Sequence, residues 1–317
     1  MAASIALALA ASMLTPTILP VAAFQSAPNL SQRQRTGVGF SSSPSRLFSV
    51  RVPQHVAFIC DGNSRWAKQN NCSTAQGHAK GADRLVELLE VLRDDGISYC
   101  TLYGFSTENW NRPDYEVKEI FRVMEQTARS LLPRVLKETS SIKLRILGDL
   151  QDERIPYGLR AILREIQTIT DRAARKNEKR KVLTVCLAIN YGGRQDILQA
   201  TQKMMAAVVA GELAADEVTQ DKLSSFLSTA GIPHPDLIVR TSGEYRLSNF
   251  LLWNAAYSEL YMTDVLWPDF DRACWDQALE WYQQRSRRFG SRDGGGLPQS
   301  LPDTIHAGTN STPSLSA

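Results

Sequence analysis

The chain has 317 residues, 43% apolar and 22% charged, enough for one domain of roughly 200–250 residues plus tails. Its 36 Lys and Arg exceed its 33 Asp and Glu by three. Arg33, Arg35 and Arg46 lie in residues 1–50, which hold no acid, so the body is neutral. A neutral body argues against non-specific nucleic-acid binding, which needs a basic face to neutralise phosphates, and no nucleic-acid partner is expected.

Residues 1–23 read as a signal-like segment: 4–14 are apolar but too short to span a bilayer, and Val21-Ala22-Ala23 offers small residues for cleavage. Residues 24–50 are rich in Ser, Gln and Arg and lack acids, the composition of a transit peptide. Together they resemble the bipartite plastid leader of algae with secondary plastids; the endoplasmic reticulum (simple secretion) and the mitochondrion are the alternatives. The body spans 51–290. Its first feature is an apolar run, Val56 to Cys60, that stops at Asp61-Gly62-Asn63, with Arg65 and Trp66 just beyond. The run is the length of a buried strand and the Gly-Asn pair tolerates a sharp turn, so Asp61 is expected at a strand's carboxyl end. A turn-forming Asp carries equal weight on this pattern alone. Gly77-His78-Ala79-Lys80-Gly81 leads into a helix with a Leu85, Leu88, Leu89, Leu92 stripe, closed by Gly96. Ser98–Phe105 reads as a second strand, followed by a polar loop to Pro113 and a helix from Glu116 to Thr139 with Pro133 as a kink point. Ile142–Leu147, Leu183–Ile189 and Leu237–Val239 read as further strands. Helices are expected over Pro156–Arg175, from Arg194 to about Ala210, around Lys222–Ser228 and over Asp271–Arg288. Phe250–Trp253 and Leu260–Met262 are shorter apolar runs. Residues 291–317 have the composition of a disordered tail.

Strands alternating with helices predict an α/β fold, a single domain with a mostly parallel central sheet flanked by helices. Four strand-to-loop junctions then share one sheet edge: Asp61-Gly62-Asn63, Ser106 to Arg112, Asn190 to Arg194 and Arg240 to Ser248. They supply a carboxylate, several arginines and several Asn or Ser donors to one crevice. Arg forks bind phosphate and a carboxylate holds Mg²⁺, so a diphosphate ligand suits this set. Any one of these arginines could be a solvated surface charge; the whole set is less readily explained so. P-loop and dinucleotide glycine motifs are absent. The five cysteines, Cys60, Cys72, Cys100, Cys186 and Cys274, form no Cys-x-x-Cys pair and read as reduced, mostly buried residues rather than zinc ligands.

The stretches 55–68, 77–78, 102–113, 144–149, 190–196, 240–253 and 257–270 resemble the cis-prenyltransferase family, which includes undecaprenyl and dehydrodolichyl diphosphate synthases. Phe-Ser-Thr-Glu-Asn-Trp-Asn-Arg-Pro and Arg-Thr-Ser-Gly-Glu-Tyr-Arg-Leu-Ser-Asn-Phe carry it most specifically. The resemblance implies condensation of isopentenyl diphosphate onto an allylic diphosphate primer (farnesyl, geranylgeranyl, geranyl or dimethylallyl), with Mg²⁺ assisting departure of the allylic diphosphate. It implies an apolar tunnel between the helices after the first two strands, peripheral membrane contact through the lipid product, and a homodimer. By the family pattern Asp61 holds Mg²⁺ and diphosphate, and Asp61, Asn63 and Asn109 are catalytic. Gly62, Asn63, Arg65 and His78, with Trp66 beside them, line the allylic pocket. Phe105, Ser106, Asn109 and Trp110 flank the reacting carbons. Arg112, Arg240, Arg246 and Ser248 bind the second diphosphate, and Glu259 is a second metal-associated residue near the dimer interface. Three departures stand out. Asn71 and Thr74 replace a Gly and an Arg of the family, with Lys80 a candidate replacement cation. Tyr245 stands where bacterial members have His. The charged turn 176–181 is about three residues longer than in bacterial members. The rival reading is a non-catalytic partner subunit, and the intact Asp-Gly-Asn motif weighs against it.

Overall fold

A computed structural model describes residues 51–136, 141–176 and 181–286. The leader and tail readings, the far end of the helix expected to reach Thr139, most of the charged turn and the end of the last expected helix lie outside the described residues. The elements run β1 (His55–Ile59), α1 (Asn63–Gln69), α2 (Thr74–Asp94), β2 (Tyr99–Ser106), α3 (Asp114–Leu136), β3 (Ile142–Leu147) and α4 (Tyr157–Lys176). They continue with β4 (Leu183–Tyr191), α5 (Gly193–Val209), α6 (Gln220–Phe226), β5 (Leu237–Arg240), β6 (Glu259–Met262) and α7 (Arg272–Gln283). The strands form one sheet in the order β3-β4-β2-β1-β5-β6, every neighbouring pair parallel. The carboxyl ends of all six strands therefore share an edge, as the sequence predicts for the four polar junctions.

Side-chain alternation divides the core between the two faces of the sheet. Val56 and Phe58 of β1 face a large layer built with Leu88, Leu89 and Leu92 of α2, Ile120 and Phe121 of α3, Ile162 of α4 and Trp275 of α7. Ala57 and Ile59 face a smaller layer with Cys186, Ala188, Tyr191, Phe250 and Leu251. The predicted leucine stripe of α2 thus meets the sheet. The stripes of α2 and α3 belong to one cluster over β1 and β2. Pro133 lies inside α3, which continues to Leu136. Among the described residues no helix is long and apolar enough to cross a membrane.

Two local readings change, and one apolar run takes a shape that the sequence left open. The turn expected at Asp61-Gly62-Asn63 is the start of a helix: Gly62, at φ 109°, caps α1, and a Cβ there would meet Leu266 and Ser242 at 3.0–3.2 Å. The expected polar loop after β2 contains a 3₁₀ turn over Thr107–Asn111, entered through register shifts between Tyr103 and Ser106. The apolar run Phe250–Trp253 is a buried turn, because Ser248, Asn249 and Leu251 all take φ between 45° and 63° and so cannot extend into a strand. Asn71 adopts φ 52°, a left-handed backbone that Asn and Gly tolerate better than other residues. Thr74 begins α2 behind a Ser73–Gln76 capping box.

At the amino-terminal edge of the sheet His55 is buried between two fixed partners. Its Nδ1 donates to the Pro233 carbonyl at 2.6 Å, so Nε2 is left to accept from the Thr101 hydroxyl at 2.7 Å. Burial, opposed by the Pro233 bond, lowers its pKa from 6.5 to about 4. The unfolded chain takes up this proton near pH 6.5 and the folded chain only near 4. The stabilisation is therefore complete above pH 6.5 and is lost as pH falls toward 4, by about 3 kcal/mol at the ordinary linkage of about 1.4 kcal/mol per pH unit. Denaturant midpoints measured from pH 7.5 to 4.5 are expected to show this loss, and a His55→Asn variant to show a correspondingly flatter profile.

Candidate active site

Asp61 follows β1 directly and is held on every side. Its backbone carbonyl accepts from Thr241 Oγ1 at 2.6 Å and from the Trp267 N–H at 3.0 Å. Its Oδ1 accepts from the Gly62 N–H at 2.7 Å. Its Oδ2 lies 3.0 Å from Arg240 Nη2 and 3.4 Å from Arg65 Nη2. The carboxylate is one-third exposed, whereas the Arg240 side chain is only 4% exposed. Arg240 closes β5, adjacent to β1, and its other nitrogen, Nη1, donates to Ser248 Oγ at 2.7 Å and to the Arg246 carbonyl. Arg65, one turn along α1, donates to the Ser242 carbonyl and hydroxyl at 2.8 and 2.7 Å and pairs with Glu244 at 3.3 Å. The Arg246 guanidinium also pairs with Glu244. The structure thus brings together Asp61, Gly62, Arg65, Arg240, Arg246 and Ser248.

The second cluster comes from β2 and α2. Asn109 Oδ1 accepts from the Ser106 N–H at 3.0 Å, which closes the 3₁₀ turn. Phe105 is buried and packs edge-to-face with Trp110 at 4.9 Å. Arg112 pairs with Glu116 at 2.6 Å, close enough to His78 for its charge to be felt there. Burial and the nearby Arg112 charge lower the pKa of His78 against the opposing charges of Glu116 and Glu119, and its Nε2 is buried with no protein partner. Asn63 Nδ2 donates to the Cys60 carbonyl at 3.3 Å, while its buried Oδ1 has none. The Arg240 Nε is likewise unpaired. Unpaired buried polar atoms are rare in native proteins, and these three come from residues that sequence alone assigns to the site.

Gly77 and Gly81 allow α1 to approach α2 this closely: a Cβ on Gly81 would lie 2.1 Å from Asn63 Oδ1 and 2.9 Å from the Trp267 ring. Gly81→Ala is expected to displace the Asn63 amide and to lower turnover on the order of 10- to 100-fold, measured beside a thermal midpoint.

Two predicted residues point elsewhere. Trp66 Nε1 donates to Asp269 at 2.8 Å. Glu259 opens β6 level with Leu237, whereas Met262 is level with Arg240. That places Glu259 about 10 Å down the strand, toward the opposite edge of the sheet. Within one chain Asp61 and Glu259 are therefore not brought to one ion, and among the described residues no group of three His, Cys, Asp or Glu could hold a metal. Tyr245 is exposed beside Glu244 and Arg246. The donor set fits Mg²⁺ only as an ion bound through one or two carboxylates plus ligand phosphates, the usual protein environment of Mg²⁺.

Sequence reasoning missed the residues that fasten these loops together. Asn249 donates to Glu108 Oε1 at 2.8 Å, accepts at Oδ1 from the Arg194 N–H at 2.9 Å, and accepts at its carbonyl from the Gly193 N–H at 2.6 Å. It joins the ends of β2, β4 and β5. The Tyr103 hydroxyl lies 3.2 Å from both the Tyr191 and Ser248 carbonyls. Asn249 stands inside the motif already quoted, so its place was visible there although its contacts were not.

A family model described as "Putative undecaprenyl diphosphate synthase" matches residues 59–290. An isoprenyl transferase of Agrobacterium fabrum is 43% identical over 240 residues, covering 76% of this chain and 93% of that protein. A ditrans,polycis-undecaprenyl-diphosphate synthase ((2E,6E)-farnesyl-diphosphate specific) of Pasteurella multocida is 43% identical over 242 residues, covering 76% and 96%. Lavandulyl diphosphate synthase from Lavandula x intermedia, solved in complex with dimethylallyl diphosphate, superposes with a TM-score of 0.69 at 33% identity, over 75% of this chain and 98% of that one. With the parallel sheet and the clustered strand-end motifs, these matches show that the chain belongs to the undecaprenyl diphosphate synthase family, the cis-prenyltransferases.

Proposed function

We propose that this chain condenses isopentenyl diphosphate with an allylic diphosphate, forming a cis double bond at each addition. The observation that carries the reading is the Asp61–Arg240–Ser248 chain of contacts at the carboxyl edge of the sheet, with Arg65 and Arg246 around it. In the reaction the allylic C–O bond breaks, C1 bonds to C4 of isopentenyl diphosphate, a proton leaves C2, and diphosphate departs. Charge builds on the leaving diphosphate, and oriented Arg and backbone donors stabilise it without reorganising. Mg²⁺ arriving with the diphosphate would neutralise part of that charge, with Asp61 as its protein ligand. Arg240 needs little reorientation, because its fork is already fixed on Asp61 and Ser248. His78 Nε2, buried with no protein partner, can donate to a diphosphate oxygen, whereas Asn63 Oδ1, an acceptor, cannot.

The growing apolar chain would lie between α2 and α3, whose apolar residues Leu88, Leu92 and Phe121 belong to one core cluster over the sheet. A homodimer is supported by Leu198, Met205 and Val209, exposed at related positions of α5, and by Leu260 on the edge strand β6. Farnesyl, geranylgeranyl, geranyl and dimethylallyl diphosphates are the candidate primers. Plastid targeting, with the endoplasmic reticulum or mitochondrion as alternatives, rests on the leader's composition, and peripheral membrane contact on the lipid product. The full chain, incubated with Mg²⁺, each primer and labelled isopentenyl diphosphate, is expected to incorporate label into an extractable prenyl diphosphate. Absence of incorporation with all four primers would overturn the reading.

A further inference from the structure

The indole of Trp110 is held from two directions by residues outside the motif that contains it. Its Nε1 donates to Asn190 Oδ1 at 2.8 Å. The guanidinium of Arg154 lies over its ring, 4.1 Å from the centroid. These two partners are themselves joined through Asp152. Asn190 Nδ2 donates to Asp152 Oδ2 at 3.1 Å, and Arg154 donates to the same carboxylate through Nε at 3.0 Å and Nη2 at 2.6 Å. The four side chains close a ring: Trp110, Asn190, Asp152, Arg154 and back to Trp110. The ring spans the ends of β2, β3 and β4, since Asp152 and Arg154 follow β3 and Asn190 lies near the end of β4.

Each member suits its place. Asn190 is buried and takes φ 49°, a left-handed backbone that Asn tolerates better than most residues. Its amide also donates to the Asp149 carbonyl at 3.2 Å, which fixes which end of the amide accepts from Trp110. Asp152 accepts from Asn190 and Arg154 together, and does so most strongly as a carboxylate. Its hydrogen bonds from Arg154 hold its pKa at about 2, so the ring is intact throughout the neutral range. Arg grips the carboxylate with two nitrogens and stacks its plane on an indole; Lys can do neither in the same way. Trp110 follows Asn109 directly and precedes Arg112 by two residues, so fixing the indole fixes the turn that presents both. Trp110 and Arg154 also line a 610 Å³ cleft between α3 and the start of α4.

We infer that Asp152, Asn190 and Arg154 are positioning residues that clamp Trp110, and through it the Asn109–Arg112 turn, for the prenyl-transfer step. This rests on the proposed reaction, so one arm of the test requires no turnover. The acrylamide quenching of Trp110 is read as the difference between the wild-type chain and Trp110→Phe. Arg154→Met is compared in the same way with the Trp110→Phe, Arg154→Met double variant. Removing the guanidinium is expected to raise the quenching constant of this difference signal about two-fold, with Arg154→Lys falling between. In the kinetic arm, Asp152→Asn and Arg154→Met are each expected to lower kcat about 5- to 10-fold, with the thermal midpoint unchanged. In a Trp110→Phe background the same substitutions are expected to have no further effect. An unchanged quenching signal would overturn the clamp, whether or not the chain turns over. Losses in kcat that multiply with that of Trp110→Phe, or that track a fall in thermal midpoint, would overturn the positioning role.

Discussion

Asp61→Asn is expected to lower kcat by about 10²- to 10³-fold, the range seen when one oriented group facing developing charge is removed. Asn keeps the shape but has one acceptor oxygen, so it can serve either the Gly62 N–H or the Arg240 guanidinium, which contact the two carboxylate oxygens separately, and a stability loss smaller than that of Asp61→Ala is expected. Asp61→Ala goes further. It abolishes measurable product and also leaves the buried Arg240 without its counter-ion, a loss of about 3 kcal/mol by the behaviour of broken buried pairs. Comparing the two by steady-state kinetics and chemical denaturation separates the chemical role of the carboxylate from its structural one. Wild-type activity in Asp61→Asn would remove Asp61 from the centre of the site.

Arg240→Ala is the second large effect. Its guanidinium holds Asp61 through one nitrogen and Ser248 and the Arg246 carbonyl through the other, so truncation frees the loop after β5 as well as removing a phosphate fork. A fall in kcat/KM of about 10²- to 10³-fold is expected, in line with the cost of truncating a desolvated charge partner. Asp61 is one-third exposed and can be rehydrated, so the stability loss should be smaller than in Asp61→Ala. Arg240→Lys is expected to recover at most about ten-fold, because an ammonium on a flexible stem cannot hold both partners in one plane. Full activity in Arg240→Lys, measured over a range of isopentenyl diphosphate concentrations, would contradict this role for the fork.

Much of the sheet is legible in the sequence because its strands are short apolar runs bounded by Gly, Asp or Asn. The carboxyl-edge grouping of Asp61 with Arg240 follows from parallel strands alone. The strand order does not, since β1 lies between β2 and β5, and nothing local encodes a pairing across 180 residues of chain. Glu259 shows the same limit. It lies close in sequence to Arg240, yet β6 runs parallel to β5 and must begin at the other edge, which carries Glu259 away from Asp61. Arg112 is grouped with Arg240 by motif, and its ion pair with Glu116, one turn into α3, is a contact that the motif does not announce. The fastening contacts of Asn249 and Tyr103 go partly to backbone groups of distant loops, and such partners leave no mark in residue type or spacing. His55 was an ordinary strand residue until burial between Pro233 and Thr101 gave it a titration of its own.

In the proposed reaction one carboxyl-edge crevice, centred on Asp61 and Arg240, joins isopentenyl diphosphate to an allylic diphosphate with cis geometry. The most direct measurement incubates the full chain with Mg²⁺, farnesyl diphosphate and ¹³C-labelled isopentenyl diphosphate, then reads the new double bonds by NMR, with Asp61→Asn in parallel. Elongated product is expected, its added units cis and its yield collapsing in Asp61→Asn. Trans units, or equal yield from Asp61→Asn, would contradict it.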